Sequence, residues 1–393
     1  MKLFLCFFLT VYGSMHLYIF IRFLQAFRPS RNFSAMMFLF MGLATAAPIL
    51  ARLCEHAGRE AIARFMAWGS YCWMGFIFIL VSILLTLDIF RFAVMTFYRI
   101  RGCDASSANG LRVACELALI LAIIVSIYGF FEARSIRTER ITIQTAKIPA
   151  TVNRIRIAQI SDVHLGFMVQ ENRLKKILTI VKTEDPDILV STGDLFDGRL
   201  SRWEKTSNYQ PLSDLFESVK PSHGKFAITG NHEYYMGPDF ALDVTKACGF
   251  QLLRNEYVEL PNGIAIGGSD DPAWERASKS PPHDSAETQL LRSMPPDSFR
   301  VYLKHRPTVA SQNDGLFDLQ LSGHTHHGQI FPFYLLAKLQ YPYCDGTTYL
   351  ANGSIIHVSR GTGTWGPPIR FLAPPEITII DIVPKKPTEK NGN

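Results

Sequence analysis

Charge is scarce in the first third of this 393-residue chain, and net charge is missing from the rest. Residues 1–131 hold 11 Lys/Arg against 5 Asp/Glu, whereas residues 132–393 hold 29 of each. The polar part therefore has no basic surplus with which to neutralise phosphates along a helix, and no nucleic-acid partner is expected. Cysteine is also sparse. Seven are scattered at 6, 54, 72, 103, 115, 248 and 344, with no CxxC pair, which excludes a short disulfide framework and a zinc site closed by thiolates. With 48% hydrophobic and 19% charged residues, so unevenly divided, the chain is neither disordered nor fibrous nor a single soluble globule.

What the first third does have is four long apolar runs. Leu3–Ile21, Phe33–Ala51, Trp68–Leu87 and Val113–Phe131 each approach the roughly 20 residues that a helix needs to cross a bilayer. Only Glu116 lies within a run, near its end, and Asp88 borders another; both read as interfacial carboxylates, so the bundle reads as an anchor and not as a transport path. Arginines separate the runs, and Trp68, Tyr71, Trp73, Tyr98 and Tyr128 fall near their ends, where amphipathic rings favour the interface. The first run is too long for a typical signal h-region and lacks a small-x-small cleavage site, which points to an uncleaved helix. A multi-pass integral membrane protein is expected, in the cell or inner membrane if the source is bacterial. Basic residues divide eight against seven between the two sides and leave the side of the polar part open.

Residues 132–152 read as a charged, β-rich connector, and from 153 to 383 apolar strand signals alternate with amphipathic helices. Strands are predicted at 154–160, 187–191, 225–229, 264–267, 300–304, 318–321, 355–359 and 377–382, with helices at 173–181 and 239–248. This is an α/β pattern. The last residues, 384–393, are polar and read as a disordered tail.

Five of these strands run directly into polar residues able to bind a metal. Asp162 and His164 follow the first, Asp194 the second, Asn231 and His232 the third, His305 the fifth, and His324 and His326 the sixth. Ligand sites gather at the carboxyl ends of strands in open α/β sheets. Carboxylate, imidazole and amide oxygen suit borderline divalent ions such as Mn, Fe or Zn. Seven ligands exceed the needs of one ion with room for substrate; they suit two ions that share a carboxylate. Asp-x-His and His-x-His pairs on extended backbone can face one site.

The blocks DVH, GDLFD, GNHE, a later His and GHTH, in this order, resemble the calcineurin-like metallophosphoesterases. GHTHHGQ and the later SRGTG, PIRF and PEIT are similar to a membrane-associated branch that includes bacterial phosphodiesterases. The resemblance implies a four-layer α-β-β-α sandwich preceded by the four-helix bundle. It implies a hydrolase in which Asp162, His164 and His326 hold one ion, Asn231, His305 and His324 hold the other, and Asp194 bridges. A hydroxide shared by the ions would attack phosphorus in line with the leaving oxygen. His232 would contact the phosphate or protonate the leaving group.

Further residues carry weaker signals. Asp197 and Glu233 read as supports around the ligands, Arg370 as a surface or structural arginine with phosphate contact as the lesser option, and His327 has no assigned role. The substrate is a phosphomonoester or phosphodiester, with a lipid or sugar-lipid carrier suggested by the anchor. The segments 270–298 and Phe331–Tyr343 are candidates for shaping its entrance. The alternative is a non-catalytic scaffold on the same fold, which has no need of a complete ligand set.

Overall fold

The computed structural model describes residues 2–101, 108–166, 168–197, 209–274 and 283–385. The tail expected at 384–393 and the middle of the 270–298 segment fall largely outside them. The chain divides into two compact units, residues 1–132 with Gly366–Phe371, and residues 133–365 with 372–393.

The first unit is helical: α1 (Lys2–Phe27), α2 (Arg31–His56), α3 (Glu60–Ile100) and α4 (Ala108–Glu132). All four are long and apolar enough to cross a membrane. At 41 residues α3 is about 60 Å long, twice the thickness of a hydrocarbon core. Small side chains, Ala63, Ala67, Ala118 and Ala122, are buried between helices, whereas Phe38, Leu39, Ile120 and Ile124 face outward. One polar knot lies inside. Trp73 Nε1 donates to His16 Nε2 at 2.9 Å, leaving Nδ1 to donate to the Tyr12 carbonyl. Asp88 accepts from Tyr18 and pairs with Arg22 (2.6 Å) and Arg91, and Glu116 pairs with Arg112. Asp88 and Glu116 therefore each have a cationic partner. The segment Gly366–Phe371 returns to this unit, with the Arg370 amide donating to the Gly129 carbonyl at 3.0 Å. A Cβ at Gly129 would come within 2.6 Å of Ile369, so glycine permits this close approach.

The second unit holds two six-stranded sheets and a two-stranded one, β3 (Leu165–Gly166) paired with β5 (Phe196–Asp197). One has the order β1-β14-β2-β4-β6-β7, from Arg137–Thr145, Glu376–Pro384, Ile155–Ile160, Ile188–Ser191, Lys225–Ala227 and Gln251–Leu252. The other has the order β12-β13-β11-β10-β9-β8, from Gly346–Tyr349, Ile355–Val358, Leu319–Ser322, Phe299–Leu303, Ile264–Gly268 and Glu256–Glu259. In the first sheet β2, β4, β6 and β7 are parallel, and in the second β9, β10, β11 and β13 are. All nine residues of β1 pair with β14, so the stretch expected as a connector contributes an edge strand to the sheet.

Period-2 alternation explains the layers. Ile155, Ile157, Ile188, Val190, Ile380 and Ile382 face Ile264, Ile266, Val301, Leu303, Leu319 and Leu321 in one core between the sheets. The alternate residues Ala158, Ile160, Leu189, Ile377 and Ile379 face α5 (Glu171–Thr183), through Leu174, Ile177 and Val181, and the helices Gln210–Glu217 and Pro238–Ala247. On the far side, Ala265 and Tyr302 pack on Leu290, Leu291 and Met294 of the helix His283–Ser293 and the turn after it. A buried Lys304–Glu287 pair at 2.7 Å fastens that helix to the end of β10. The result is the four-layer α-β-β-α sandwich. Strands covered on both faces are mostly apolar, which is why the polar residues stand out where the strands stop.

Candidate metal centre

Each of the five loops leaves its strand at the same edge. The Asp162 amide donates to the Gly193 carbonyl and the His164 amide to the Asp194 carbonyl, both at 3.0 Å, which locks the loops after β2 and β4 side by side. The Gly323 amide donates to the His305 carbonyl and does the same for the loops after β10 and β11. Asp162, His164, Asp194, His324 and His326 all have φ between +49° and +71°. Residues with a Cβ seldom adopt this left-handed backbone, at a cost of about 1–3 kcal/mol each, so the surrounding contacts hold them there. Two glycines make the approach possible. A Cβ on Gly230 would run into the Asp194 carboxylate, and one on Gly323 into Ser161 and Asp162.

The predicted ligands converge in two groups whose candidate ligand atoms lie within 4.8 Å of one another, Asp162, His164 and His326, and Asp194, His305 and His324; a third such group joins His164 to Asp197 and His232. His164 Nε2 and His326 Nε2 are 3.0 Å apart, and His326 Nε2 is 3.4 Å from Asp162 Oδ1. In the second group, His305 Nε2 is 3.2 Å from both Asp194 Oδ2 and His324 Nδ1. Asp194 Oδ2 also lies 3.9 Å from His164 Nε2 and so stands between the groups. Asn231 is buried at the start of a short helix. Its neighbours on both sides touch Asp194, Gly230 by close packing and His232 through its amide, 2.9 Å from Oδ1.

Surrounding groups hold the candidate ligands in place. His305 Nδ1 donates to the Thr192 carbonyl at 2.8 Å, which leaves Nε2 facing Asp194. His324 Nε2 meets the Tyr341 hydroxyl at 3.0 Å. Glu233 accepts three buried amides, from Asp194, Phe196 and Gly230. Gln159, inside β2, donates to Thr192 and to the Ser322 carbonyl and joins two site loops from beneath. Arg306 forms a two-pronged pair with buried Asp271, at 2.7 and 3.0 Å. Sequence reasoning missed Gln159, Arg306, Asp271 and Tyr341, whose partners lie 17 to 163 positions away.

The electrostatics are those of a crowded, buried charge centre. Burial resists ionisation of Asp194, yet His305, His232 and His164 hold it well below the usual carboxylate range. Burial also opposes charge on His305, but Asp194 outweighs it and pushes the imidazole up to about 10. Burial, then His305, drives His324 down to about 3. Burial, resisted by His305 and assisted by Asp194, raises Asp162 to about 6.

This donor set fits divalent ions. Facing imidazole nitrogens 3.0 and 3.2 Å apart have room for one proton between each pair, and a cation there would satisfy both lone pairs. The amide oxygen of Asn231 is buried with no hydrogen-bond partner among the described residues. A buried polar atom of this kind is expensive unless something completes it.

His232 stands beside these groups. Its ring is edge-on to His164 with centroids 4.7 Å apart, and Nδ1 is 2.9 Å from Asp197 Oδ1. Asp197 thereby fixes the ring and leaves Nε2 as the working nitrogen. Burial works against protonation of His232, but Asp194 and Asp197 prevail and raise it to about 9. Exposed Tyr235 and Trp365 flank the ring at 5.7 and 5.8 Å. His327 stacks on Tyr334 (centroids 4.2 Å apart) with Nδ1 3.1 Å from Asp345, outside both ligand groups. Arg370 has a completely buried side chain, and its amide donates to the Gly129 carbonyl.

A two-sheet sandwich with clustered carboxylates and imidazoles at one strand edge defines a metal-dependent phosphoesterase. Residues 155–328 match the calcineurin-like phosphoesterase family. An uncharacterized metallophosphoesterase of Aquifex aeolicus is 37% identical over 265 residues, covering 67% of this chain and 98% of that one. A zebrafish (Danio rerio) transmembrane protein with metallophosphoesterase domain is 30% identical, covering 72% and 65%. The metallophosphoesterase YkuE of Bacillus subtilis is 31% identical, covering 65% and 89%. The chain belongs to the calcineurin-like metallophosphoesterase family.

Proposed function

We propose that the chain is a multi-pass membrane protein, anchored by α1–α4, whose second unit hydrolyses phosphoesters at a dinuclear centre. Asp162, His164 and His326 would hold one divalent ion, of Mn, Fe or Zn type, and Asn231, His305 and His324 would hold the other, with Asp194 available to both. The observation that carries this reading is the position of Asp194, its Oδ2 3.2 Å from one ligand group and 3.9 Å from the other. When bound, two such ions lower the pKa of a water between them and neutralise charge on a phosphoryl group undergoing in-line displacement. The side chains do the rest. His305 and His324, fixed by Thr192 and Tyr341, keep their other nitrogens aimed inward. His232, held by Asp197, presents Nε2 to the phosphate or leaving oxygen and supplies its proton. The site shares a chain with four membrane spans, so a phosphoester carried by a lipid or sugar-lipid is the substrate class we favour.

Detergent-purified protein is expected to contain two divalent ions per chain and to hydrolyse an aryl phosphate mono- or diester, and the ratio of the two rates gives the ester preference. Chelation should abolish turnover and added metal restore it; an undiminished rate in stripped protein would refute the metal-dependent reading. His232→Ala is expected to lower kcat by roughly 10²-fold or more with little change in metal content. The loss should shrink for an aryl ester whose leaving group needs no proton. An equal loss for good and poor leaving groups would show that His232 orients phosphate and donates no proton.

A further inference from the structure

Just beyond the His-x-His loop, the helix Phe333–Gln340 buries none of its residues. Leu335, Leu336 and Leu339 are 56%, 58% and 84% exposed, and Phe331 and Phe333 beside them are 42% and 47% exposed. Leu335 and Leu339 lie one turn apart on one face, with Leu336 adjacent. Single exposed leucines are ordinary, but a continuous ridge of this kind marks a contact surface.

The ridge is fastened to the metal centre at both ends. A Cβ on Gly328 would collide with the backbone of Tyr334, and His327 stacks on the Tyr334 ring. At the other end the Tyr341 hydroxyl bonds His324, a candidate ligand. Whatever binds the ridge is therefore held beside the site.

We propose that this helix is a lipid-contact surface, which enters the bilayer surface and presents a lipid-borne phosphoester to the metal centre; the proposal rests on the phosphoesterase reading. Three observations favour lipid over protein as the occupant. The same polypeptide carries four helices able to cross a membrane, so a bilayer is tethered within reach. No acidic residue occurs from Phe331 to Tyr343, so nothing in the ridge repels an anionic headgroup. Lys338, exposed among the leucines and 5.7 Å from the Tyr334 ring, has a long apolar stem whose ammonium reaches the headgroup level while the leucines enter the acyl region.

The test uses the full-length protein in nanodiscs of phosphatidylcholine and phosphatidylglycerol. A bimane label is placed at Leu339→Cys, or at Tyr349→Cys as a control on the same unit (72% exposed), each with Cys6→Ser and with background from the unsubstituted protein subtracted. Doxyl-labelled lipids are expected to quench the label at 339 at least twofold more than the label at 349. Equal quenching would overturn the proposal and leave the ridge to a protein partner. In a second arm, Leu335→Ser, Leu336→Ser and Leu339→Ser together should lower the rate on dipalmitoyl phosphatidic acid relative to an aryl phosphate by about tenfold. An unchanged ratio would count against lipid contact. Failure of the unsubstituted protein to cleave any phosphoester would sink the phosphoesterase reading alone, since the quenching experiment does not depend on turnover.

Discussion

Asn in place of Asp194 is expected to cut turnover on the order of 10³-fold or more and to lower metal content from two ions per chain toward one. The carboxylate makes three contacts. Oδ1 accepts the His232 amide at 2.9 Å, and Oδ2 lies 3.2 Å from His305 and 3.9 Å from His164. Asn is nearly the same shape, so it can keep the amide contact and the packing against Gly230. It cannot keep the negative charge, and its NH₂ would point hydrogens at one of the cation positions. The fold should survive, because the Asp194 amide and carbonyl, which bond Glu233 and His164, are untouched. The measurement is metal analysis and aryl phosphate hydrolysis on protein whose circular dichroism matches the parent. A variant that retained both ions and full rate would show that Asp194 does not join the two groups.

The candidate metal centre was legible in the sequence because each candidate ligand follows an apolar strand within a few residues, where a local pattern suffices. Asp162 and His164 after RIRIAQI, or Asp194 after DILVS, announce themselves by contrast with the buried run before them. The helices at 173–181 and 239–248 were equally plain, and appear as Glu171–Thr183 and Pro238–Ala247. What the sequence hid is of another kind. β1 is studded with Arg137, Glu139 and Arg140, as an edge strand with one solvated face permits, and its partner β14 lies more than 200 positions away. Gln159 looks like the polar half of an alternating strand but is completely buried beneath the site. Arg370 follows two prolines in a motif that invites a phosphate reading, yet its backbone is bound to Gly129. The helix Phe333–Gln340 was visible only as an apolar stretch, because composition does not reveal that none of it would be covered.

Glu233→Ala is expected to be the most destabilising single change near the site. Glu233 is nearly fully buried and its carboxylate is taken up by three backbone amides, so it acts as a positioning residue. Oε2 accepts the Asp194 amide at 3.0 Å and the Gly230 amide at 2.8 Å, and Oε1 accepts the Phe196 amide at 3.1 Å. These donors belong to the loops after β4 and β6, which carry Asp194 and Asn231. Alanine would strand all three N–H groups in the interior, at about 1–3 kcal/mol each, so the loss should reach about 3–9 kcal/mol. That is a large share of the 5–15 kcal/mol typical of a domain. Gln separates hydrogen bonding from charge. Its remaining oxygen can serve Asp194 and Gly230, while its NH₂ faces the Phe196 amide donor to donor, so about 1–3 kcal/mol should be lost. Denaturant titration followed at the second unit measures both variants, and metal content measured below the transition reports whether the loops still bring Asp194 and Asn231 together. A Glu233→Ala midpoint equal to that of the parent would mean that the loops hold their shape through Gly193, Gly230 and the strand-end amide ladder alone, and that the carboxylate does not organise them.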